Sequence, residues 1–171
     1  MQGEFLRYEE IDPDCPDRDD HILTLFEERV LLPVQRGSGS SWGEKSLRLE
    51  PDEPYCIPRV ARSMVAFGAR AGRFDTKRAL FDTFSQSGSE QAASLARLIS
   101  GSLGHARSRR MEAGLLAPLA RSMGLDLDLH DAVDQYVIHG ILSPCKGVSQ
   151  ASGLAWYEIN GCLYWERGAK R

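Results

Sequence analysis

From Leu115 to Leu142 apolar residues recur at helical spacing in two groups divided by a glycine. Leu115, Leu116, Leu119, Ala120 and Met123 fall on one side of a short helix, and Leu129, Val133, Tyr136, Val137 and Ile141 on one side of a second, because residues three, four and seven apart share a helix face. Pro118 is tolerated in the first turn of the first helix, Gly124 supplies the left-handed residue that ends it, and Asp126 or Asp128 caps the second. Further on, Trp156–Ile159 and Cys162–Trp165 flank Asn160-Gly161, a pair that favours a type I′ turn. The pattern predicts a two-residue hairpin with Tyr157 opposite Tyr164 on one face and Trp156 opposite Trp165 on the other.

Upstream the pattern is more broken. Glu9–Asp20 mixes acids with two prolines and predicts an extended lead-in. Between His21 and Gln35, Ile22, Leu25, Phe26 and Val30 fit a helix, while Arg29–Val34 fits a strand equally well. Gly37–Gly43, rich in glycine and serine, predicts a flexible loop, and Ser46–Glu50 alternates as a short strand does before Pro51 and Pro54. Pro58 then opens a helix reaching Arg73, with Val60, Met64, Phe67 and Ala71 on one stripe and Arg59, Arg62, Arg70 and Arg73 on another. Asp75 caps a following helix over Thr76–Phe84, and Ser87 with Glu90 offers a capping box for one carrying Ala92, Leu95, Ala96, Leu98, Ile99 and Leu103.

The short helix, glycine turn, second amphipathic helix and hairpin of Leu115–Glu166 resemble a winged helix-turn-helix. Counting Ser89–Leu103 as its first helix, the resemblance covers about residues 89–166. It implies a mainly α fold with a small β component, divided as an acidic segment over 1–43, a basic helical region over 44–88 and a winged-helix-like domain over 89–171. Winged helices that read DNA place the second helix in the major groove with Arg, Lys, Asn or Gln towards base edges. Here the outer face of that helix carries His130, Asp131, Asp134, Gln135 and Ile138, after Asp126 and Asp128. An acidic face with an exposed isoleucine suits a protein contact better than a phosphate backbone.

Charge changes the picture further. The formal net charge is −3, yet residues 1–55 hold fourteen acids and six bases, and residues 56–125 eleven bases and four acids. No acid occurs between Pro54 and Phe74. Phosphate contact is therefore expected from Arg59, Arg62, Arg70 and Arg73, joined by the cluster Arg107, Arg109 and Arg110, unless the acidic N-terminal segment neutralises them. The expected partner-facing residues are Asp131, Asp134, Gln135, Ile138, Trp156 and Trp165.

Chemistry-bearing motifs are lacking. The sequence has no phosphate-cradling Gly-x-x-x-x-Gly-Lys loop, no dinucleotide fingerprint, no His-Glu-x-x-His and no Gly-x-Ser-x-Gly. Cys15, Cys56, Cys145 and Cys162 form no Cys-x-x-Cys pair, and a zinc site drawn from His130, His139, Cys145 and Cys162 would match no familiar spacing. Neither a metal nor another cofactor is expected. With 42% hydrophobic and 26% charged residues and no long apolar run, a cytoplasmic protein without membrane contact is expected. The expectation is thus a non-catalytic adaptor, a subunit of a nucleoprotein or multiprotein complex. It would dock a protein partner or a second copy through the C-terminal region and touch nucleic-acid phosphates through its arginines. The alternative is a winged-helix DNA-binding regulator of transcription or replication.

Overall fold

A computed structural model of the chain describes residues 4–34, 41–145 and 155–167. The chain is mainly α with a small β part. In order come β1 (Glu4–Arg7), α1 (Arg18–Glu27), β2 (Leu32–Pro33), β3 (Pro54–Ile57), α2 (Arg59–Ala71), α3 (Thr76–Ser85) and α4 (Ala92–Ser102). They are followed by β4 (Arg110–Glu112), α5 (Leu116–Ser122), α6 (Leu129–Ile138), β5 (Leu142–Pro144) and β6 (Trp156–Ile159), and a 3-10 segment over Gly161–Arg167 closes the described chain. The strands form two antiparallel three-stranded sheets, ordered β1-β3-β2 and β4-β6-β5.

Two apolar clusters hold these elements. A small one joins Ile22, Leu31 and Tyr55 under the first sheet. The larger gathers Val60 and Met64 of α2, Leu80 and Phe84 of α3, Leu95, Leu98 and Ile99 of α4, and Tyr136 of α6 with Ile159 and Leu163. Val30 also belongs to it, so one core runs from the N-terminal segment through the basic helices to the C-terminal sheet. Fully burying a side chain such as Phe84 or Leu98 is worth about 2 kcal/mol, which makes the larger cluster the main source of stability.

Local signals set several boundaries as expected. Asp75 Oδ1 accepts from the Arg78 N–H at 2.9 Å, and Asp128 Oδ1 from the His130 N–H at 2.8 Å, so each caps its helix. Gly124 is left-handed at φ 64°, and Pro118 lies within the first turn of α5. Between His21 and Gln35 both readings hold in succession, α1 ending at Glu27 and β2 following at Leu32.

Other expectations fail. The hairpin at Asn160-Gly161 does not form: neither residue has a positive φ, and Gly161–Arg167 winds into the 3-10 segment instead of a strand. The pairings Tyr157–Tyr164 and Trp156–Trp165 are therefore absent, and β6 pairs with β4 and β5. Ile159, Asn160, Gly161, Cys162 and Leu163 are all buried in succession, which a strand cannot do against one covered face, because its side chains alternate. Ser46–Glu50 forms no strand, and the lead-in contains a 3-10 turn over Tyr8–Glu10 and the first residues of α1. The Ser87/Glu90 capping box is replaced by a turn in which Ser87 Oγ donates to the Phe84 carbonyl. Residues 37–40 of the expected loop lie outside the described residues, but Ser41 and Trp42 near its end are buried, and the Trp42 N–H donates to Ser143 Oγ of β5 at 2.8 Å.

Candidate functional site

α6 is amphipathic, and its inner face fixes it firmly. Tyr136 is fully buried, meets the Phe84 ring edge-on at 5.8 Å and donates its hydroxyl to the Leu95 carbonyl at 3.0 Å. Burial raises its pKa. At the C-terminal end, the Val60 N–H of α2 donates to the His139 carbonyl at 3.2 Å. Gly140 follows at φ 71°, where a Cβ would lie 2.4 Å from Pro58 Cβ, so only glycine fits beneath α2.

The outer face keeps the expected residues together. His130, Asp131, Asp134 and Ile138 are exposed and Gln135 is half-buried. His130 Nδ1 lies 3.3 Å from Asp134 Oδ2. Asp131, in the first turn, complements the helix dipole. Ile138 is 44% exposed, a large apolar side chain left in water about one and two turns along α6 from Asp134 and Asp131. Beside it a depression of about 420 Å³ is lined by Asp131, Gln135 and Ile138 and by the turn Ser87, Gly88 and Ser89. His139 borders it from beneath. Its ring is buried, packs edge-on to Phe84 at 5.6 Å, and neither nitrogen has a hydrogen-bond partner among the described residues. Burial, then the Arg59 charge, lower its pKa to about 4.

The tryptophans expected to share a surface are separated in role. Trp156 lies half-buried in β6 opposite Glu112. Trp165, in the 3-10 segment, packs on Phe74 with ring centroids 5.1 Å apart.

The arginines also divide. Arg59 and Arg62, at the packed N-terminal half of α2, are half-buried. Arg70 and Arg73 are exposed at the far end, with Arg59 and Arg70 about 16 Å apart along the helix axis. Arg70 lies 3.9 Å from Asp82, which also binds Arg78 at 3.0 Å. The acidic segment engages its own arginines, Glu9 with Arg7 and Asp19 with Arg18.

The second arginine cluster has a geometry the sequence did not announce. Arg107 and Arg110 exchange both backbone hydrogen bonds at 2.9 Å, and Ser108 and Arg109 between them stand at φ 49° and 58°. This is a turn of the I′ kind built without glycine or asparagine. It holds two exposed arginines directly opposite each other, a like-charge pairing that disfavours the turn. Arg109 instead reaches Glu28 at 2.6 Å, while Arg29 reaches Glu158 at 2.8 Å. Glu28 and Glu158 are thus taken, and neither Arg107 nor Arg110 is ion-paired among the described residues.

Around those two ion pairs the N-terminal segment is locked onto the C-terminal sheet. Asn160 is fully buried. Its Nδ2 donates to the Arg29 carbonyl at 2.8 Å and the Gly140 carbonyl at 3.0 Å, and its Oδ1 accepts from the Cys162 N–H at 3.1 Å. The Gly161 N–H donates to the Glu28 carbonyl at 2.9 Å, an approach that a Cβ would block, since it would sit 2.8 Å from that oxygen. Sequence reasoning missed Glu28, Arg29 and Asn160 because nothing local marks a contact made across about 130 residues.

Among the described residues no group of three or more His, Cys, Asp or Glu side chains is arranged to hold a metal ion. No described helix is long and apolar enough to cross a membrane. Burial raises the pKa of the Cys162 thiol and, more weakly opposed by Arg110, that of Cys145, which leaves both poor nucleophiles. Comparison with family models, with curated proteins and with solved structures returns no match.

Proposed function

We propose that this chain is a non-catalytic docking module with a winged-helix-like C-terminal half, and that it engages a protein partner through the outer face of α6. The order α4, β4, α5, α6, β5, β6, three helices and an antiparallel strand pair, supports the winged-helix resemblance. The observation that carries the docking role is Ile138, exposed beside Asp131, Asp134 and a depression able to receive a partner side chain. A helix face of this charge would repel a phosphate backbone, so base reading by α6 is set aside. The partner surface is apolar at its centre and basic at its edge. The test is a photo-crosslinking residue in place of Ile138, with one at exposed Leu49 as control. A protein crosslinked from position 138 and not from 49 is expected; none from 138 overturns the proposal.

Phosphate contact is a second reading, and the opposed pair Arg107 and Arg110 favours it over the α2 arginines. An anion between them would offset the repulsion within the turn. A mobility shift on nonspecific duplex across a salt series tests it. Removing both as Arg107→Ala and Arg110→Ala should lower the slope of log affinity against log salt by about 2. An unchanged slope refutes phosphate contact at this turn.

A further inference from the structure

Between α3 and α4, away from the α6 face, lies an open groove of about 600 Å³. Its floor is apolar, made by Phe81 of α3, Ala93 and Ala96 of α4, and Met123 after α5. Lys77 and Arg97 stand in its lining, and no acid does. Both cations are exposed, and neither is ion-paired among the described residues. Phe81 is itself 38% exposed. Apart from Arg97, the side of α4 that lines the groove carries small residues, Ala93, Ala96, Ser100 and Gly101, and at Gly101 a Cβ would lie 2.2 Å from Met123 Cε, so Met123 is seated where a larger residue would stand. Small residues along a groove let a second helix approach closely, and the volume falls in the range of sites that enclose a ligand or a helix ridge.

The occupant that fits is a helix ridge with an apolar knob and carboxylates beside it. α6 carries that set: Ile138 exposed, Asp131 with no cation partner among the described residues, and Asp134 paired only with His130. From Asp131 to Ile138 the helix rises about 10 Å, and the groove face of α4 from Ala93 to Gly101 about 12 Å. The other acidic helix, α1, is less suited, because its Asp19 is already held by the Tyr8 hydroxyl at 2.7 Å and by Arg18.

We infer that the partner of the α6 face is a second copy of this chain, whose α3–α4 groove receives Ile138 while Lys77 and Arg97 meet Asp131 and Asp134. The inference rests on the docking role of α6 and names its partner. Each protomer carries one ridge and one groove, so the contact joins unlike patches. It closes as a reciprocal pair or a ring, or else continues as a chain.

Sedimentation equilibrium of the full chain from about 1 µM to about 1 mM tests it. The native protein should gain mass with concentration, less so at high salt, because the charges lie at the rim. Reversing the ridge (Asp131→Lys with Asp134→Lys) or the groove (Lys77→Glu with Arg97→Glu) should weaken self-association roughly a hundredfold in each case. Mixing the two variants should restore it, since both ridge–groove contacts are then complementary, and restoration also shows that each variant folds. Ala93→Trp, which fills the groove without changing charge, should block association. A native protein that stays monomeric throughout, or reversed variants that associate as the native does, overturns the second-copy assignment. If a different protein is then crosslinked from position 138, the docking role of α6 stands; if none is, that role falls too.

Discussion

Replacing Asn160 by glycine separates two accounts of the same residue. In a type I′ hairpin, Gly-Gly serves nearly as well as Asn-Gly, so the change would cost within about 0.5 kcal/mol. In the structure the side chain makes three hydrogen bonds in a fully buried site, two from Nδ2 and one to Oδ1. Losing three such bonds removes about 1 kcal/mol each. The added backbone freedom of glycine costs roughly another 0.5–1 kcal/mol, and the buried Cys162 N–H is left without its acceptor. The expected total is about 4 kcal/mol, a large share of the 5–15 kcal/mol typical of a domain. Urea unfolding followed by far-UV circular dichroism reads it as a midpoint lowered by about 2 M. Asn160→Asp sharpens the test. It keeps the size and the acceptor for Cys162 but turns a carboxylate oxygen towards two carbonyl oxygens, so its loss should be larger at pH 7 than at pH 4, where that group can take a proton and donate. A midpoint for Asn160→Gly within about 0.3 M of native would refute the three-bond account.

Two further outcomes follow from buried or strained groups. His139 has a folded pKa of about 4 against an ordinary 6.5, so between those values the unfolded chain binds more protons; stability present above about 6.5 is lost as pH falls towards 4, by up to about 3 kcal/mol. The stability difference between native protein and His139→Leu should shrink or reverse across that window, and parallel pH profiles would contradict the neutral, unpartnered ring. Ser108 is exposed at φ 49°, where an L-residue is disfavoured by roughly 1–2 kcal/mol. Ser108→Gly should therefore raise the melting temperature by about 2 °C, and a lowered one would argue against the positive-φ turn.

How much was legible in the sequence depended on how far each signal reached. Asp75 and Asp128 cap through hydrogen bonds to residues two or three positions on, and Gly124 acts on its own φ; such signals lie wholly within a short window. The acidic outer face of α6 was legible for the same reason, since helical period alone groups Asp131, Asp134 and Ile138. Asn160-Gly161 carried a strong local signal too, but the core claims Ile159, Cys162 and Leu163 together, and satisfying three inward side chains required a 3-10 turn. Conversely Ser108-Arg109 has no turn signature, yet the chain reverses there, with Arg109 paired to Glu28, 81 residues away in sequence. Trp42 looked like part of a linker because its glycine and serine neighbours are visible in sequence while its acceptor, Ser143, is 101 residues away. The groove was hidden because Ala93, Ala96 and Gly101 read as ordinary helix formers or spacers. Only α3 and Met123 beside them make a cavity.

The lock between Arg29 and Asn160 spans 131 residues of sequence, and this sets a clock on synthesis. At about 5–20 residues per second, a ribosome needs roughly 7–26 s to travel from one to the other. During that interval Val30 has been made, but Ile159 and Leu163 of the same core have not. Ile22, Leu31 and Tyr55 can already pack together, but Val30 must wait for its later partners, and that side of the segment docks only when Ile159 and Leu163 arrive. A chain released before Asn160 would keep the β1-β3-β2 sheet but lack the bond that ties Arg29 to the C-terminal region.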